Sequence, residues 1–506
     1  MTSLRATEAD VALLLEGTFP YVKGGVSSWV NQIIRGFPEY RFAIIFLGSR
    51  AEDYGDMEYE LPDNVVHLEL HYLYNPEVGP PIQTRQGDPK TFELLTNMHQ
   101  YFRNPLANCQ HAGLFRQIVP EMGYNGKASL EQFLYSHESW EYIKAQYLKN
   151  CTDPSFVDYF WSIRSMHTPV WILSRIAENF IPVKVYHTVS TGYAGFLGAL
   201  LKVKNGKPLI LSEHGIYTKE RKIDLFSAQW IKDNRNLFQH NPTEVSYFRQ
   251  LWIRFFQAIG KQCYDQADHI VALFETNRLR QVEDGAPSER TSNIPNGIDV
   301  ARFSALRSLR PAKTPQVMCL IGRVVPIKDI KTFVRAMRTV VNRLPEAEGW
   351  IAGPEDEDPS YVEECRQLVN ALGLNDNVKF LGFQKLTELL PKIGLVVLSS
   401  VSEGLPLVIL EGFAAGVPAV STDVGSCKQL IFGLDEADQA LGAAGDIVGI
   451  ADPHALAYAC LKLLTNQEAW QAASTAAIKR VETYYTQAQM FGSYRKIYEQ
   501  AMQWQA

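Results

Sequence analysis

Short apolar runs alternate with amphipathic stretches along most of this chain. Continuous apolar runs of about four to eight residues are typical of parallel strands buried on both faces, and helices normally connect such strands. Two series of these runs occur, namely 11–15, 41–48, 65–70, 183–189, 208–213 and 267–273, and then 317–322, 349–353, 378–382, 394–398 and 418–420. The pattern predicts an α/β fold with two doubly wound, Rossmann-like parallel sheets.

A different pattern interrupts the first series between about residues 72 and 175. Prolines, aromatic and charged residues mix there, with helical spacing near 91–103, 129–148 and 154–178. We therefore expect a largely helical insertion in an N-terminal domain of residues 1–300. Residues 301–315 are rich in Arg, Pro and Ala, which favours a linker to a C-terminal domain of residues 301–485. Two such domains facing each other would leave a cleft at the carboxyl ends of both sheets, where doubly wound folds bind ligands.

The composition is that of a globular protein, with 46% hydrophobic and 21% charged residues among 506. The formal net charge of −6 suggests neither a nucleic-acid groove nor a polybasic membrane surface. No run approaches the ~20 apolar residues that span a bilayer. The seven cysteines are scattered and form no CxxC pair, which argues against a zinc site or a disulfide framework. We therefore expect a soluble, cytoplasmic protein with reduced thiols and no nucleic-acid partner.

The strongest chemical feature is a pair of glutamates in residues 402–412 (SEGLPLVILEG). Glu403 follows an apolar run, and Glu411 comes about one turn into the predicted helix. Free amides at a helix start favour an anion such as a phosphate, and a nearby carboxylate can accept hydrogen bonds from sugar or ribose hydroxyls. The alternative is a capped helix with two solvated acids.

Two cations follow the first strand of the second series, in residues 322–328 (GRVVPIK). Arg323 and Lys328 are five residues apart across a turn that contains proline, so that both can reach the same cleft. A planar guanidinium and a compact ammonium are a common pairing around a diphosphate. Ordinary surface charges are the alternative.

These motifs occur in an order that carries a family resemblance. G-R-x4-K, E-x7-E and residues 422–425 (TDVG) resemble the donor half of the retaining GT-B glycosyltransferases of family 4. The pair Gly24-Gly25 and residues 213–215 (EHG) and 295–299 (PNGID) are similar to the acceptor half. Residues 211–221 and 353–358 resemble the Pel exopolysaccharide glycosyltransferases in particular.

The resemblance implies a GT-B fold, with an acceptor-side first domain and a nucleotide-sugar-binding second domain. It implies an enzyme that moves a hexose or N-acetylhexosamine from a UDP-sugar onto a growing biofilm exopolysaccharide. In this family the terminal helix, here 486–506, crosses back onto the first domain, although packing in its own core would explain its apolar spacing equally well. The resemblance also implies docking on inner-membrane components of a polysaccharide synthesis and export machinery.

The donor-binding residues that the resemblance implies are Gly25, Arg323, Lys328, Gly382, Glu403, Gly404, Leu405 and Glu411. Arg323 and Lys328 would hold the pyrophosphate and stabilise the charge that develops on UDP. Glu403 would contact the donor sugar, and Glu411 would hold the ribose hydroxyls.

Two glycines and a histidine complete the implied site. Gly25 would bring backbone amides close to a phosphate or an acceptor, and Gly382 would form the turn whose backbone reads the base. His214 would lie beside the sugar ring and is a catalytic candidate together with Arg323, Lys328 and Glu403. From its sequence context alone, His214 could equally be structural. His187 is expected to be a packed or supporting residue.

Retention in this family is explained by front-face attack, in which the leaving phosphate takes the acceptor's proton. Glu403 acting as a covalent nucleophile is the competing mechanism. Two other functions fit similar architecture, a nucleotide-sugar 2-epimerase and a non-catalytic nucleotide-sugar sensor within a secretion complex. The charged residues Arg323, Lys328, Glu403 and Glu411 argue against the sensor, because a non-catalytic protein has little need for all four.

We expect no metal and no other cofactor. Asp356 and Asp358 resemble the metal-binding DxD of other glycosyltransferases, but they precede a predicted helix, whose dipole favours acids there. Gln429 stands where the family commonly has glutamate, which puts in doubt an acidic role at that position.

Overall fold

The computed structural model describes residues 4–74, 86–104, 113–123, 126–234 and 245–503. These residues divide into two compact units, each with its own parallel sheet. The first unit runs to Ala272 and also contains 277–293 and the residues from Arg495 on, and the second contains 273–276 and 294–494.

The strands of the first unit are β1 (Ala9–Glu16), β2 (Phe42–Gly48), β3 (Val65–Tyr72), β4 (Val183–Thr188), β5 (Leu209–Glu213), β6 (His269–Ala272) and β7 (Thr291–Asn293). Within the described ranges they form one seven-stranded parallel sheet in the order β3-β2-β1-β4-β5-β6-β7. The order reverses at β1, and Leu13 in this strand lies level with Ile44 of β2 and His187 of β4. The loops after β1, β4 and β5 therefore begin at the same edge of the sheet.

The helices of the first unit are α1 (Gly25–Gly36), α2 (Pro89–Arg103), α3 (Leu114–Met122), α4 (Leu130–Tyr135), α5 (His137–Asn150), α6 (Phe156–Glu178), α7 (Tyr193–Asn205), α8 (Tyr217–Ser227), α9 (Tyr247–Gln266) and α10 (Glu275–Glu283). Four of them begin at a side chain that accepts a hydrogen bond from a free amide of the first turn, and these caps are Asp88, Ser129, Ser136 and Ser155.

Aromatic side chains join these helices into one core. The ring of Phe102 in α2 lies 5.1 Å from that of Phe255 in α9, and Phe115 in α3 lies 5.6 Å from Phe196 in α7. Each of these rings is at most 3% exposed, so that the helices between β3 and β4 share a core with those of the Rossmann-like layer.

The strands of the second unit are β8 (Val317–Ile321), β9 (Glu348–Ala352), β10 (Val378–Gly382), β11 (Leu395–Leu398), β12 (Ala419–Thr422) and β13 (Gly445–Val448). They form a six-stranded parallel sheet in the order β10-β9-β8-β11-β12-β13, again counting only described residues. Its order reverses at β8, which pairs with β9 on one side and β11 on the other. The loops after β8 and β11 thus start side by side, at the position where doubly wound sheets bind ligands.

The helices of the second unit are α11 (Val300–Ser304), α12 (Ile330–Val341), α13 (Pro359–Ala371), α14 (Leu386–Leu389), α15 (Leu407–Ala414), α16 (Cys427–Phe432), α17 (Glu436–Gln439), α18 (Pro453–Leu464), α19 (Gln467–Tyr484) and α20 (Gln487–Gln503). Residues of α20 up to Tyr494 belong to this unit, and those from Arg495 on belong to the first. Within the first unit, Tyr498 of α20 is fully buried and its hydroxyl lies 2.7 Å from Nδ1 of His187.

The structure corrects the expectation of a linker over residues 301–315. Residues 300–309 form α11 and a following 3-10 turn, and Phe303 and Leu306 are buried in the core of the second unit. These two side chains are three residues apart, which is the spacing that puts them on one helical face. The Arg- and Pro-rich composition concealed this short apolar face.

The predicted fold class, two doubly wound parallel sheets with many helices, is confirmed. None of the helices in the described ranges combines the length and the low polarity that crossing a membrane would require. Cys109 lies outside the described residues, and the other six cysteines are free thiols, five of them buried.

Candidate functional site

Lys328 and Glu403 form an ion pair where the loops after β8 and β11 begin. Lys328 ends a 3-10 turn, Pro326–Lys328, and its Nζ lies 2.6 Å from Oε1 of Glu403. Ser400 Oγ donates to the same oxygen at 2.6 Å. Both charged side chains are mostly buried, with 18% of Lys328 and 12% of Glu403 exposed. The pair therefore has a defined position instead of sampling solvent.

A glycine turn supports the loop that carries Glu403. Gly425 has a φ of +54°, and a Cβ at this position would lie 2.3 Å from the carbonyl oxygen of Glu403 and 2.5 Å from that of Gly404. The backbone amide and the hydroxyl of Ser426 both donate to the Gly404 oxygen at 3.0 Å. Only a residue without a side chain allows the two loops to approach this closely.

Arg323 follows β8 but makes a different ion pair. Its Nη1 lies 2.5 Å from Oε2 of Glu357, and both side chains are about half exposed, at 56% and 51%. The structure thus brings Lys328 and Glu403 together and pairs Arg323 with an acid that sequence reasoning did not single out. Glu357 lies in the acidic loop 355–358, which follows β9.

Glu411 lies in α15 and is largely shielded from water. Burial raises the pKa of Glu411 to about 7, and the nearby positive charge of Arg302 partly opposes that rise. Its ionisation therefore falls in the neutral range, unlike that of an ordinary glutamate.

Two further predicted residues, Gly382 and Leu405, have separate environments. Gly382 ends β10 with a φ of +62°, which favours glycine, and a Cβ there would have open space. Phe383 follows it with 77% of its surface exposed, a large aromatic ring that sequence reasoning missed. Leu405 is 8% exposed and packs in the core of the second unit.

His214 and Gly25 belong to the first unit. His214 follows β5, and its ring lies 4.6 Å from that of Trp29 in α1. Burial lowers the pKa of His214 to about 4, so that the ring is neutral at pH 7. Gly25 is the first residue of α1, and a Cβ there would meet nothing within 4 Å, so the described residues impose no need for glycine.

Glu213, which precedes His214 at the end of β5, is hydrogen-bonded to four other segments of the first unit. Glu213 accepts hydrogen bonds from the amide of Tyr217 at 3.0 Å and from the side chains of Thr191 at 3.1 Å, Gln281 at 3.0 Å and Tyr264 at 2.7 Å. Burial raises the pKa of Glu213 to about 7, although these donors favour the charged form. The network fixes the turn that presents His214.

His187 supports the same region from the next strand. It is fully buried, and its two ring nitrogens lie 2.7 Å from the hydroxyl of Tyr498 and 2.8 Å from that of Ser212. Its ring also contacts Trp29 edge-on, at 5.7 Å between ring centres. This agrees with a packed, supporting histidine.

A cavity of about 730 Å³ opens at the strand ends of the first unit. Its wall includes Glu16 at the end of β1, His214 after β5, and Tyr217, Arg221 and Trp252 from α8 and α9. Nothing in the local sequence pattern indicates this cavity, because the residues that form it are up to 240 positions apart along the chain.

The acidic loop after β9 is partly committed to helix capping. Asp358 accepts hydrogen bonds from the amide of Tyr361 at 3.0 Å and from the hydroxyl of Ser360 at 2.7 Å, at the start of α13. In the part of the chain that the structure describes, no group of three or more His, Cys, Asp or Glu side chains is placed to hold a metal ion. Gln429 approaches the Tyr485 hydroxyl at 3.3 Å.

These two Rossmann-like units, the second with charged side chains at its switch point, place the chain in the doubly wound α/β class. Residues 9–289 match the family described as "Domain of unknown function (DUF3492)", and residues 315–466 match the family "Glycosyl transferases group 1". The first match covers more than half of the chain, and the protein belongs to the DUF3492 family.

Two curated relatives resemble parts of the chain. An exopolysaccharide phosphotransferase of Streptomyces coelicolor is 34% identical over 160 residues, which are 31% of this chain and 16% of that protein. A D-inositol 3-phosphate glycosyltransferase of Nocardia farcinica is 28% identical over 184 residues, 34% of this chain and 41% of that one. The chain thus spans less than half the length of these relatives.

Among solved structures, HepE of Anabaena in complex with UDP and glucose has the same fold. The TM-score is 0.54 with 14% identity, over 97% of this chain and 99% of HepE. At this identity the likeness concerns the fold alone.

Proposed function

We propose that the protein is a glycosyltransferase that takes a sugar from a nucleotide-sugar donor bound at the second unit. The observation that carries this proposal is the Lys328–Glu403 pair at the switch point of that unit's sheet. An ammonium at this position can neutralise the charge that develops on a diphosphate leaving group. The neighbouring carboxylate can accept hydrogen bonds from the sugar being transferred. Both residues fall within the stretch that matches the glycosyl transferases group 1 family.

The donor in this proposal is a UDP-sugar. The support is the family resemblance of the G-R-x4-K and E-x7-E motifs, together with the UDP that HepE binds in its crystal structure. Arg323 and Lys328 bind the diphosphate, Glu411 binds the ribose, and the Gly382 turn lies near the base. The roles of His214 and Gly25 are those that the resemblance implies, and they stay predictions.

The stereochemical outcome in this proposal is retention by front-face attack, with a hexose or N-acetylhexosamine transferred to a growing exopolysaccharide of the Pel type. Residues 211–221 and 353–358 support the Pel assignment, and the named function of the Streptomyces coelicolor relative supports an exopolysaccharide more generally. We further propose a cytoplasmic enzyme that docks on inner-membrane components of the synthesis machinery.

We propose that the reaction needs neither a metal nor another cofactor. Asp358, one of the two carboxylates that resemble a metal-binding motif, already caps α13. Strong inhibition by EDTA that added Mg²⁺ or Mn²⁺ reverses would contradict this part of the proposal.

The proposed function is tested by UDP release from a panel of UDP-sugars, with and without oligosaccharide acceptors. We expect release from one donor to rise when an acceptor is added, and the extended oligosaccharide to appear by mass spectrometry with a retained anomeric configuration. UDP release with an isomerised free sugar and no dependence on acceptor would indicate an epimerase instead. Binding of UDP-sugar without any release would indicate a sensor.

Removing the partner of Arg323 should strengthen donor binding. Oε2 of Glu357 lies 2.5 Å from Nη1 of Arg323. In the proposed complex, a diphosphate oxygen would bind to the same guanidinium group. Half-exposed ion pairs contribute only about 0.2–1 kcal/mol, so we expect Glu357→Gln to lower the Kd for UDP by about 2- to 5-fold. The measurement is calorimetric titration with UDP.

The matched control for this prediction is Glu355→Gln in the same loop. Glu355 pairs with Arg366 at 2.6 Å and not with Arg323. The control should leave the Kd for UDP within about 1.5-fold, because a pair remote from the ligand contributes little. Equal effects of the two substitutions would mean that Glu357 does not compete with the donor.

Glu411 should make donor binding depend on pH. Its pKa of about 7 means that the free protein carries a mostly neutral carboxyl at pH 6 and a carboxylate at pH 8. Only the carboxylate accepts hydrogen bonds from both ribose hydroxyls, so affinity should rise with pH, by up to about 10-fold over this interval. UDP also titrates near neutrality, and the measured quantity is therefore the difference from Glu411→Gln. Parallel pH profiles of the two proteins would contradict the ribose assignment.

A further inference from the structure

The residue that follows Lys328 has a backbone conformation that is unusual for its type. Asp329 has a φ of +44° and a ψ of +54°, in the left-handed region. This region is costly for a residue with a Cβ, although aspartate tolerates it better than most. Such a conformation persists only where the surrounding structure holds it, and these conformations cluster at functional sites.

Helix capping does not account for this conformation. Asp329 caps α12, because its carboxylate accepts a hydrogen bond from the Thr332 amide at 3.2 Å. Three other aspartates cap helices of the second unit in the same way with negative φ angles, namely −75° for Asp299, −137° for Asp358 and −111° for Asp452. An aspartate cap therefore needs no left-handed backbone. What distinguishes Asp329 is that the turn before it carries Lys328.

A buried serine holds this turn. Ser399 directly follows β11 and is fully buried, and its Oγ lies 2.9 Å from the carbonyl oxygens of both Lys328 and Asp329. The two carbonyls that flank an extended residue point to opposite sides, whereas the left-handed turn directs both to one side, so that one hydroxyl can donate to either. The amide of Val401 donates to the Ile327 carbonyl at 2.9 Å. The loop after β11 thus fixes the backbone on both sides of Lys328.

The backbone of Lys328 matters because its side chain is confined along its length. Its Nζ lies 2.6 Å from Oε1 of Glu403, and a Cβ on Gly322 would lie 3.3 Å from its Cε. A lysine stem is otherwise flexible and would let the ammonium sample many positions. With these contacts in place, the position of the ammonium follows from the point at which the side chain leaves the backbone.

We propose that Ser399 is a positioning residue for sugar transfer. Its hydroxyl holds the left-handed turn at Asp329, and this turn places the ammonium of Lys328 where the leaving diphosphate gains charge. The role in the reaction rests on the proposed function, whereas the support of the turn follows from contacts within the second unit. Ser399 acts through Lys328, and a shift of about 1 Å at a reacting group can lower a rate about 100-fold.

Replacing Ser399 tests this role. Ser399→Ala should lower kcat by about 10-fold or more and change the KM for the donor by less than about 2-fold, because a preorganised charge acts mainly in the transition state. The matched control is Ser474→Ala. Ser474 in α19 donates to the carbonyl of Gly416 at 2.8 Å, and Gly416 has a φ of +75°. This control removes the same kind of hydrogen bond from a left-handed turn that carries no proposed donor-site residue, so kcat should stay within about 2-fold.

A second substitution separates positioning from a general loss of structure. Glycine adopts the left-handed conformation without the cost of a Cβ, and it is an acceptable helix cap. Asp329→Gly should therefore make the turn less dependent on Ser399, and adding Ser399→Ala to it should lower kcat by less than about 3-fold. A purely structural loss would lower kcat equally in both backgrounds. The comparison within the Asp329→Gly background decides the question even where Ser399→Ala alone does not fold.

Crystal structures test the turn without any donor. We expect Nζ of Lys328 to move by about 1 Å or more in Ser399→Ala, and to return to its place when Asp329→Gly is added. An unchanged Lys328 in Ser399→Ala, or an equal loss of kcat in both backgrounds, would overturn the proposal.

Failure of the proposed function would appear separately, as absence of UDP release from every donor by the unmodified protein. Displacement of Lys328 in Ser399→Ala together with that result would support Ser399 as the residue that holds the turn. Only its role in the reaction would then be removed.

Discussion

Replacing Lys328 with alanine should lower the rate of sugar transfer by at least about 100-fold, because it removes the more buried of the two cations in the proposed donor site. Preorganised charges that meet a developing anion typically contribute factors of about 10² to 10³ in kcat. Lys328 is held 2.6 Å from Glu403 before any donor binds, so its position costs little reorganisation during the reaction. The effect should appear in kcat more than in KM, because charge on the leaving diphosphate grows as the glycosidic bond breaks.

The fold should survive this substitution. Ser400 still donates to Glu403 at 2.6 Å, so the carboxylate keeps a hydrogen bond after the ammonium is lost. We expect a cooperative thermal transition close to that of the unmodified protein, measured by circular dichroism.

Lys331→Ala is the matched control for Lys328→Ala. Lys331 lies three residues further on, in α12, and pairs with Glu364 at 2.5 Å, away from Glu403. Its loss should change the rate of transfer by less than about 2-fold, as for an ordinary surface pair. Wild-type turnover of Lys328→Ala would show that the donor site is wrongly assigned.

The sequence predicts the central strands of both sheets and the edge strands β3 and β10, but it misses the edge strands β7 and β13. The runs that become β1 and β11 are buried along their length, which leaves a continuous apolar signal. β7 (TSN) and β13 (GDIV) lie at the edges of their sheets, are short and only partly buried, and carry no such signal. A continuous apolar run therefore reveals a strand, and a short strand without such a run leaves no signal in the sequence.

For the candidate site, local motifs place residues on loops but do not select their partners. The G-R-x4-K motif correctly puts Arg323 and Lys328 after one strand. Which acid each cation meets depends on contacts 34 and 75 residues away along the chain, with Glu357 and Glu403 respectively. The cavity of the first unit could not be predicted for the same reason, because its wall combines strand ends with helices that are distant from them in the sequence.

Gly425→Ala should impair transfer as severely as the loss of a charged residue, although Gly425 has no side chain. A Cβ here would lie 2.3 Å from the carbonyl oxygen of Glu403, and backbone atoms cannot rotate away as a side chain can. The loop that carries Glu403 must therefore shift. A displacement of about 1 Å at a reacting group can reduce a rate about 100-fold, and we expect a loss of that size. Steady-state kinetics measures it.

Gly373→Ala separates this displacement from backbone strain. Gly373 has a φ of +62°, close to the +54° of Gly425, but a Cβ there would meet nothing within 4 Å. Both variants should lose about 1–2 kcal/mol of stability to the left-handed conformation, because that cost depends on φ and not on neighbours. Only Gly425→Ala should lose transfer. Equal kinetics of the two variants would mean that the Glu403 loop tolerates the shift, and the position of that carboxylate would then not limit the rate.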